Sequence, residues 1–497
     1  MNQSGATPAR VDDWTHAGWA ALALVLVISA WRIGALFGQA PNLSFDEAQY
    51  WAWSQSFAFG YFSKPPLVAW AIAAATSVCG EAEACIKLPS TLAHAVTALA
   101  LYAVGAALYD RRAGFWASAT YILLPAVSFS SMLITTDPFL LAAWAVALWC
   151  LVRALQTDRL GWWLGMGAAI GVGMLAKYAM AFFVLCLLLY LAITPERRRL
   201  LKSRKLWAGL ALALALYAPN IVWNLTHGLV SYRHTGENAN LGGSLFHPGK
   251  MAEFMGAQFG VFGPLPFAAF LWILTRRDTW RDDRSRMLVT FALPILALMT
   301  ALSILSRANA NWSAPVYVSA SLLVAAWALR TRWDWVLKGA LLMHLAGAVL
   351  LYNYEAAASL FGSERMVRLD PMKRVKGWDK AGAKVSRLLA DNPGYRLLAD
   401  ERKVLATLIY YVKPHPFDAV KWNPSGVIRD HYDQTTRLEP GPSPLIYVTE
   451  NRDEPAMERY FDRVEKLPPI RVQVSESHAI HLRVWRLSGF RGFPPPG

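Results

Sequence analysis

The sequence predicts a polytopic α-helical membrane protein with a small soluble α/β domain towards its C-terminal end. Three observations predict it. Hydrophobic residues make up 55% of the 497 residues and charged residues 17%, with 22 Trp, a composition that belongs to membrane proteins. Apolar runs recur from residue 17 to residue 352. After Tyr354 these runs stop, and Pro, Gly and scattered charge take over. The net charge of +15 does not point to nucleic acid, because many of the Lys and Arg sit in short loops between apolar runs.

The first apolar run, 17–37, is long enough to span and is expected to stay as a helix. Arg32 lies near its outer end, where a long side chain can snorkel. Further runs fall at 88–109, 113–132, 138–155, 160–176, 179–194, 206–225, 251–274, 287–305, 312–329 and 334–352, about eleven spans in all. The stretch 66–79 starts at a double Pro and runs only about fourteen residues, which suits an interfacial or re-entrant helix.

Charge decides the topology. With 66–79 outside the count of spans and the N-terminus cytoplasmic, nineteen basic residues fall in cytoplasmic loops. Six fall on the other side: Lys64, Lys87, Lys177, Arg233, Lys250 and Arg307. This is a positive-inside asymmetry. Counting 66–79 as a span would invert everything downstream and put the basic cluster 197–205 outside.

That topology places Asp46, Glu47, Lys64, Asp137, Lys177 and Arg307 at one non-cytoplasmic face. Ionisable groups are costly beside a bilayer, so their convergence reads as a site. The first outer loop is the best equipped. It reads Asn42-Leu43-Ser44-Phe45-Asp46-Glu47, then Gly60-Tyr61-Phe62-Ser63-Lys64-Pro65-Pro66. Acids after Ser44 are an ordinary helix start, but capping explains one acid and leaves the other, and Lys64, unassigned. A carboxylate at a membrane cavity can take a proton from a hydroxyl, and a lysine nearby can hold a phosphate. Asp137 precedes Pro138 and on local grounds is a helix cap. Lys177 sits between two apolar runs, where it can snorkel. Arg307, Asn309, Asn311 and Trp312 form a polar turn whose Arg and Asn are donors suited to phosphate and sugar.

Other chemistry lacks support. No helical His-Glu-x-x-His pattern or Cys–His spacing marks a metal site, and no Gly-rich phosphate loop follows a strand. His227, His234 and His247 read as loop histidines. Cys79 and Cys85 bracket an outer turn and can pair in an oxidising compartment. Cys150 and Cys186 read as packing residues.

Residues 360–497 hold 23 of the 49 basic residues. Segments 395–399, 445–449 and 481–487 alternate as strands, with helical patterns at 378–391 and 401–412. The chain thus divides into a membrane domain, 1–355, and an α/β domain, 360–497, on the outer face.

Taken together these motifs resemble the GT-C fold membrane glycosyltransferases. The resemblance is to the bacterial branch related to protein O-mannosyltransferases and the aminoarabinose transferase of lipid A, and to lipopolysaccharide galacturonic acid transferases. It rests on Asp46-Glu47, Tyr61-Phe62-Ser63-Lys64-Pro65-Pro66, Thr136-Asp137-Pro138, Lys177 and the run Arg307 to Trp312. It implies a sugar donor on a polyprenyl phosphate, used at the periplasmic face of a bacterial inner membrane. Asp46 would be the base of an inverting transfer and Asp137 a second active-site acid. Lys64 would hold the donor phosphate, with Lys177 and Arg307 assisting. Glu47, Tyr61, Asn309, Asn311 and Trp312 would support the site or bind the acceptor. The helix 66–79 would be the family's juxtamembrane helix. The lipid A aminoarabinose transferase has a Glu before the motif lysine that helps hold a metal; Ser63 stands there in this chain, so no metal or other cofactor is expected. The acceptor would be lipid A or a lipopolysaccharide core, with a protein hydroxyl as the alternative. The chain would act as a monomer in the bilayer. A transporter or flippase for a lipid-linked substrate would show two related halves, and no internal repeat is present.

Overall fold

A computed structural model describes residues 16–238, 246–361, 370–452, 456–475 and 478–493. Arg10 and the Pro-rich end 494–497 lie outside them. Among the described residues, six helices are long and apolar enough to cross a membrane. They are Ala17–Gln39, Glu83–Leu108, Asp137–Thr157, Arg204–Thr226, Asp283–Leu305 and Asp334–Tyr352. Leu160–Ala176, Tyr178–Ile193 and Val316–Arg330 are apolar but shorter. The count by length and composition is therefore below the eleven expected.

Two expected spans are broken. The run 251–274 is not one helix: Pro248–Val261 and Pro264–Leu274 meet at a 116° bend, and the pair would make a seventh crossing only if counted together. Gly263, at φ +88°, and Pro264 supply the break, since proline removes a donor and glycine accepts the turn. The run 113–132 is split into Arg111–Ile122 and Pro125–Ser130. The Ile122 carbonyl lies at this split and is taken up by Arg32, whose Nη2 donates to it at 2.6 Å and to Ser128 Oγ at 2.9 Å. Arg32 therefore does not snorkel; it is fully buried, because the broken helix offers it oxygen atoms inside the bundle.

The stretch after Pro66 is the short helix Leu67–Cys79, thirteen residues long. It is followed by a disulfide between Cys79 and Cys85. Helices Leu160–Ala176 and Arg204–Thr226 pack backbone to backbone, so a Cβ on Gly167 would lie 1.9 Å from the Gly209 carbonyl oxygen. Small residues permit such approach where apolar surface gives no preference for one partner over lipid.

Ion pairs gather the basic loops at one end of the bundle. Arg112 pairs with Asp334, Arg197 with Asp283 and Arg330 with Asp278. The C-terminal unit sits at the other end. Its sheet runs β2-β1-β3-β5-β4, where β1 is Arg396–Ala399, β2 Val420–Lys421, β3 Leu445–Thr449, β4 Phe461–Ser475 and β5 His478–Phe490. β1 lies between β2 and β3, parallel to both, while β5 runs antiparallel to β3 and β4. β4 is absent from the sequence reading because Pro468-Pro469 interrupt its alternation. They are tolerated on this edge strand, where the register shifts between Leu467 and Ile470.

The expected division at 355–360 falls inside the helix Tyr354–Phe361. A single hydrophobic cluster joins the first outer loop (Leu43, Ala48, Trp51, Trp53) to Val385, Leu405 and Ile446 of the C-terminal unit. Trp51 packs against Tyr410, His415 and Phe417. The Tyr411 hydroxyl accepts from Leu43 N at 2.7 Å, and Asn42 Oδ1 accepts from Gly377 N at 2.9 Å. The α/β unit is thus docked on the loop that carries Asp46.

Candidate active site

The first loop turns into the helix Phe45–Ser54 through a capping box. Ser44 N donates to Glu47 Oε2 at 2.8 Å, and Glu47 N donates to Ser44 Oγ. This geometry satisfies orphan donors at a helix start and separates the two acids. Glu47 faces inward and is 1% exposed. Its Oε1 accepts from Ile134 N at 2.8 Å and lies 3.7 Å from the Lys87 ammonium. Lys87 is fully buried and donates to the Pro41 carbonyl at 2.6 Å. Glu47 therefore ties the loop to the segment leading into Asp137. Lys87 is its partner; the sequence places Lys87 on this face but gives no sign of the pairing.

Asp46 points the other way, and its side chain is 48% exposed. Its Oδ1 accepts from Arg402 Nη1 at 2.8 Å, and the same nitrogen donates to Gln49 Oε1 at 3.2 Å. The guanidinium also lies over the Phe45 ring, 4.6 Å from its centre. Arg402 opens the helix Arg402–Tyr411 of the C-terminal unit.

Asp137 begins the helix Asp137–Thr157. Lys177 Nζ donates to its Oδ1 at 2.5 Å and Asn311 Nδ2 to its Oδ2 at 2.8 Å. The structure thus joins three residues that the sequence set in separate loops. Asn311 is carried on the one-turn helix Ala310–Ser313, which Gln258 secures by accepting from Ser313 Oγ at 2.9 Å and from the Tyr317 hydroxyl. Trp312 packs against the bundle core. Asn309 and Arg307 are exposed, and no hydrogen bond or ion pair joins Arg307 to the cluster.

Lys64 stands among these charges. Among the described residues its ammonium has no hydrogen-bonded or ion-paired partner. Burial holds it below the ordinary lysine range, the charge of Lys177 pushes the same way, and Asp137 and Asp46 oppose. His234, on the helix Val230–Glu237, lies close enough that Lys64 and Arg402 add to the burial that lowers its pKa. In the sequence it reads as a loop histidine, because it lies far along the chain from the motifs. Tyr61 is structural. Its hydroxyl lies within hydrogen-bond distance of the Trp53 and Ser56 carbonyls, its ring stacks on Trp53 at 4.7 Å, and burial lifts its pKa to about 12. Gly60 beside it lets the loop lie on the helix Arg204–Thr226, since a Cβ there would come within 2.3 Å of the Trp223 ring.

An apolar groove of about 560 Å³ lies between four helices, Leu67–Cys79, Glu83–Leu108, Asp137–Thr157 and Leu160–Ala176. Its lining includes Leu67, Pro89, Phe139 and Val172. Leu67 is three residues from Lys64 and Phe139 two from Asp137. Among the described residues no three His, Cys, Asp or Glu side chains converge as metal ligands. The arrangement offers one accessible carboxylate, one unpaired ammonium and a second carboxylate held by its own cation, beside a slot for an apolar chain.

The family of dolichyl-phosphate-mannose-protein mannosyltransferases matches residues 63–223. Lipid A galacturonosyltransferase RgtD of Rhizobium johnstonii is 32% identical over 421 residues, covering 84% of this chain and 88% of the relative. Lipopolysaccharide core galacturonosyltransferase RgtA of the same organism is 30% identical over 187 residues, 37% of each chain. The fold is similar to ArnT from Cupriavidus metallidurans, crystallised with undecaprenyl phosphate, at a TM-score of 0.67 and 17% identity, covering 95% of this chain and 98% of that one. The apo form of the same protein gives 0.62. The chain belongs to the GT-C family of membrane glycosyltransferases, in the branch of the lipopolysaccharide galacturonosyltransferases.

Proposed function

We propose that the protein transfers a uronic acid from a polyprenyl phosphate to lipid A or the lipopolysaccharide core, at the periplasmic face of the inner membrane. The observation that carries this reading is Lys64: an unpaired, largely buried cation between two carboxylates that each already hold a cation. A phosphodiester donor would bring the charge that Lys64 lacks.

The acceptor hydroxyl attacks the anomeric carbon as the bond from that carbon to the phosphate oxygen breaks. Asp46 takes the hydroxyl proton through the oxygen that Arg402 leaves free. Polyprenyl phosphate departs with its new charge beside Lys64, and attack opposite the leaving group inverts the anomeric centre. Preset charges of this kind stabilise a developing anion without reorganisation. Asp137, clamped by Lys177 and Asn311, forms the opposite wall. Arg307 would assist only if its exposed side chain swings inward. The apolar groove suits the prenyl chain, which needs no polar partner. No step calls on a metal, and Ser63 supplies no carboxylate for one. Residues 1–355 would hold the catalytic machinery, and residues 360–497 would help recognise the acceptor.

This reading includes eleven crossings, with the three shorter apolar helices, the bent pair Pro248–Val261 and Pro264–Leu274, and the split pair Arg111–Ile122 and Pro125–Ser130 each counted as one span, and an N-terminus in the cytoplasm. The positive-inside asymmetry supports it. The likeness to protein mannosyltransferases over residues 63–223 favours a protein hydroxyl as the second acceptor reading. Mass spectrometry of envelope glycolipids with and without the protein tests both. Loss of one uronic acid from lipid A or core is expected. Unchanged glycolipids with a change in a glycoprotein would transfer the conclusion to the second acceptor.

A further inference from the structure

We infer that Arg402, supplied by the C-terminal unit, reads the donor sugar by pairing with its carboxylate. The inference rests on the proposed function, because it takes the donor to be a polyprenyl-phosphate sugar.

Three observations lead to it. The first is how little of the guanidinium is used. Both of its hydrogen bonds, to Asp46 Oδ1 and to Gln49 Oε1, leave from Nη1. Nε and Nη2 make none among the described residues, and the side chain is 30% exposed. A guanidinium binds a planar carboxylate through two parallel N–H groups, and the Nε–Nη2 edge is such a pair left open. The second is that the plane is fixed. The Phe45 ring lies under the guanidinium at 4.6 Å, so the open edge keeps its direction. The third is position. Arg402 follows β1 at the carboxyl end of the parallel strands, the side on which α/β sheets hold ligands, and the docked first loop brings that side to Asp46.

The charges match as well. Asp137 is neutralised by Lys177. That leaves Lys64 and Arg402 facing the donor with Asp46 between them. A uronosyl phosphodiester brings two negative charges, and a neutral hexosyl donor brings one. Arg402, serving both Asp46 and the sugar, gives the second charge a partner.

The test uses the full-length protein and two polyprenyl-phosphate donors that differ only at C6, one uronosyl and one hexosyl. The wild type is expected to prefer the uronosyl donor. In Arg402→Gln the uronosyl-to-hexosyl ratio of kcat/KM should fall about 10- to 100-fold, the worth of a charge-assisted hydrogen-bonded pair. Arg402→Lys keeps the charge and loses the fork, so its ratio should fall between the two. Because a ratio is read, a general loss from a shifted Asp46 or a weakened fold cancels. An unchanged ratio in both variants overturns the inference and leaves the proposed function standing. A wild type that prefers the hexosyl donor overturns both. If the Arg402→Gln loss vanishes with a dephosphorylated lipid A acceptor, the anion on Arg402 belongs to the acceptor, and the inference fails.

Discussion

The site has two halves, each an acid held by a cation, and they are built differently. Asp137, Lys177 and Asn311 come from helix ends and a short turn of the membrane bundle. Asp46 comes from the first loop, and its cation comes from Arg402, 356 residues further along in the α/β unit. The first half is fixed once the helices pack. The second exists only while the C-terminal unit stays docked. Under the proposed transfer, this would put the base on the side that depends on the C-terminal unit and the second acid on the rigid side.

The sharpest way to test the division is to remove each acid in turn. Asp46→Asn should lower kcat by about 10²- to 10⁴-fold, the usual worth of a general base, with the fold intact because the side chain is half exposed. Asp137→Asn should cost less, about 10- to 100-fold, since it loses one charge-assisted bond and keeps Asn311 as a neighbour. Single-turnover assays in detergent would measure both. Near-wild-type activity in Asp46→Asn would remove Asp46 as the base. Glu47→Ala acts on neither half directly. It strands the fully buried Lys87 ammonium, a loss of about 3–5 kcal/mol of stability, read as a lower Tm; activity lost at unchanged Tm would make Glu47 a catalytic group instead.

Most of the first half could be read in the sequence, and the second half only at Asp46. Asp137 and Lys177 sit at breaks between apolar runs, and topology puts such breaks on one face. Arg402 has no such mark: it stands in an ordinary strand-to-helix turn, and periodicity says nothing of which turn faces which loop. Its one available signal was its place after a strand of a parallel sheet. The helix breaks left clearer traces, Gly263-Pro264 and Pro125 inside apolar runs, and dipeptides of that kind punctuate helices. The run-length criterion passed over them. The burial of Arg32 follows from the same breaks, because its partner is a carbonyl at one of them.

Lys64 belongs to both halves and gives an intermediate effect. Lys64→Ala should weaken donor binding about 10- to 100-fold with a smaller change in kcat. Burial and Lys177 lower its pKa, and the phosphate needs the charged form. The apparent donor kcat/KM should therefore begin to fall with rising pH below the ordinary lysine value of 10.5, since that ratio reports the free enzyme. Lys64→Arg should abolish this alkaline limb. A limb that persists in Lys64→Arg would assign it elsewhere.

The smallest effect tests the docking on which the Asp46 half depends. His431 stands edge-on to Trp53 of the first loop, 5.5 Å between rings. Burial lowers its pKa from 6.5 to about 4; Asp430 pulls it up and Arg402 pushes it down. The docked state thus prefers neutral imidazole. Its contribution is full above pH 6.5, the ordinary value, and is lost as the pH falls through about 4. Acidification from pH 7 to 4 should speed hydrogen exchange in Phe45–Ser54 and Arg402–Tyr411, with less change at the start of Asp137–Thr157. Carboxylates also titrate in this window, so the wild type is compared with His431→Gln, which should show a flatter response. Equal responses in the two proteins would mean that His431 does not couple pH to docking. The distinction between the two halves would then rest on Arg402 and the other docking contacts of Asn42, Leu43 and Trp51.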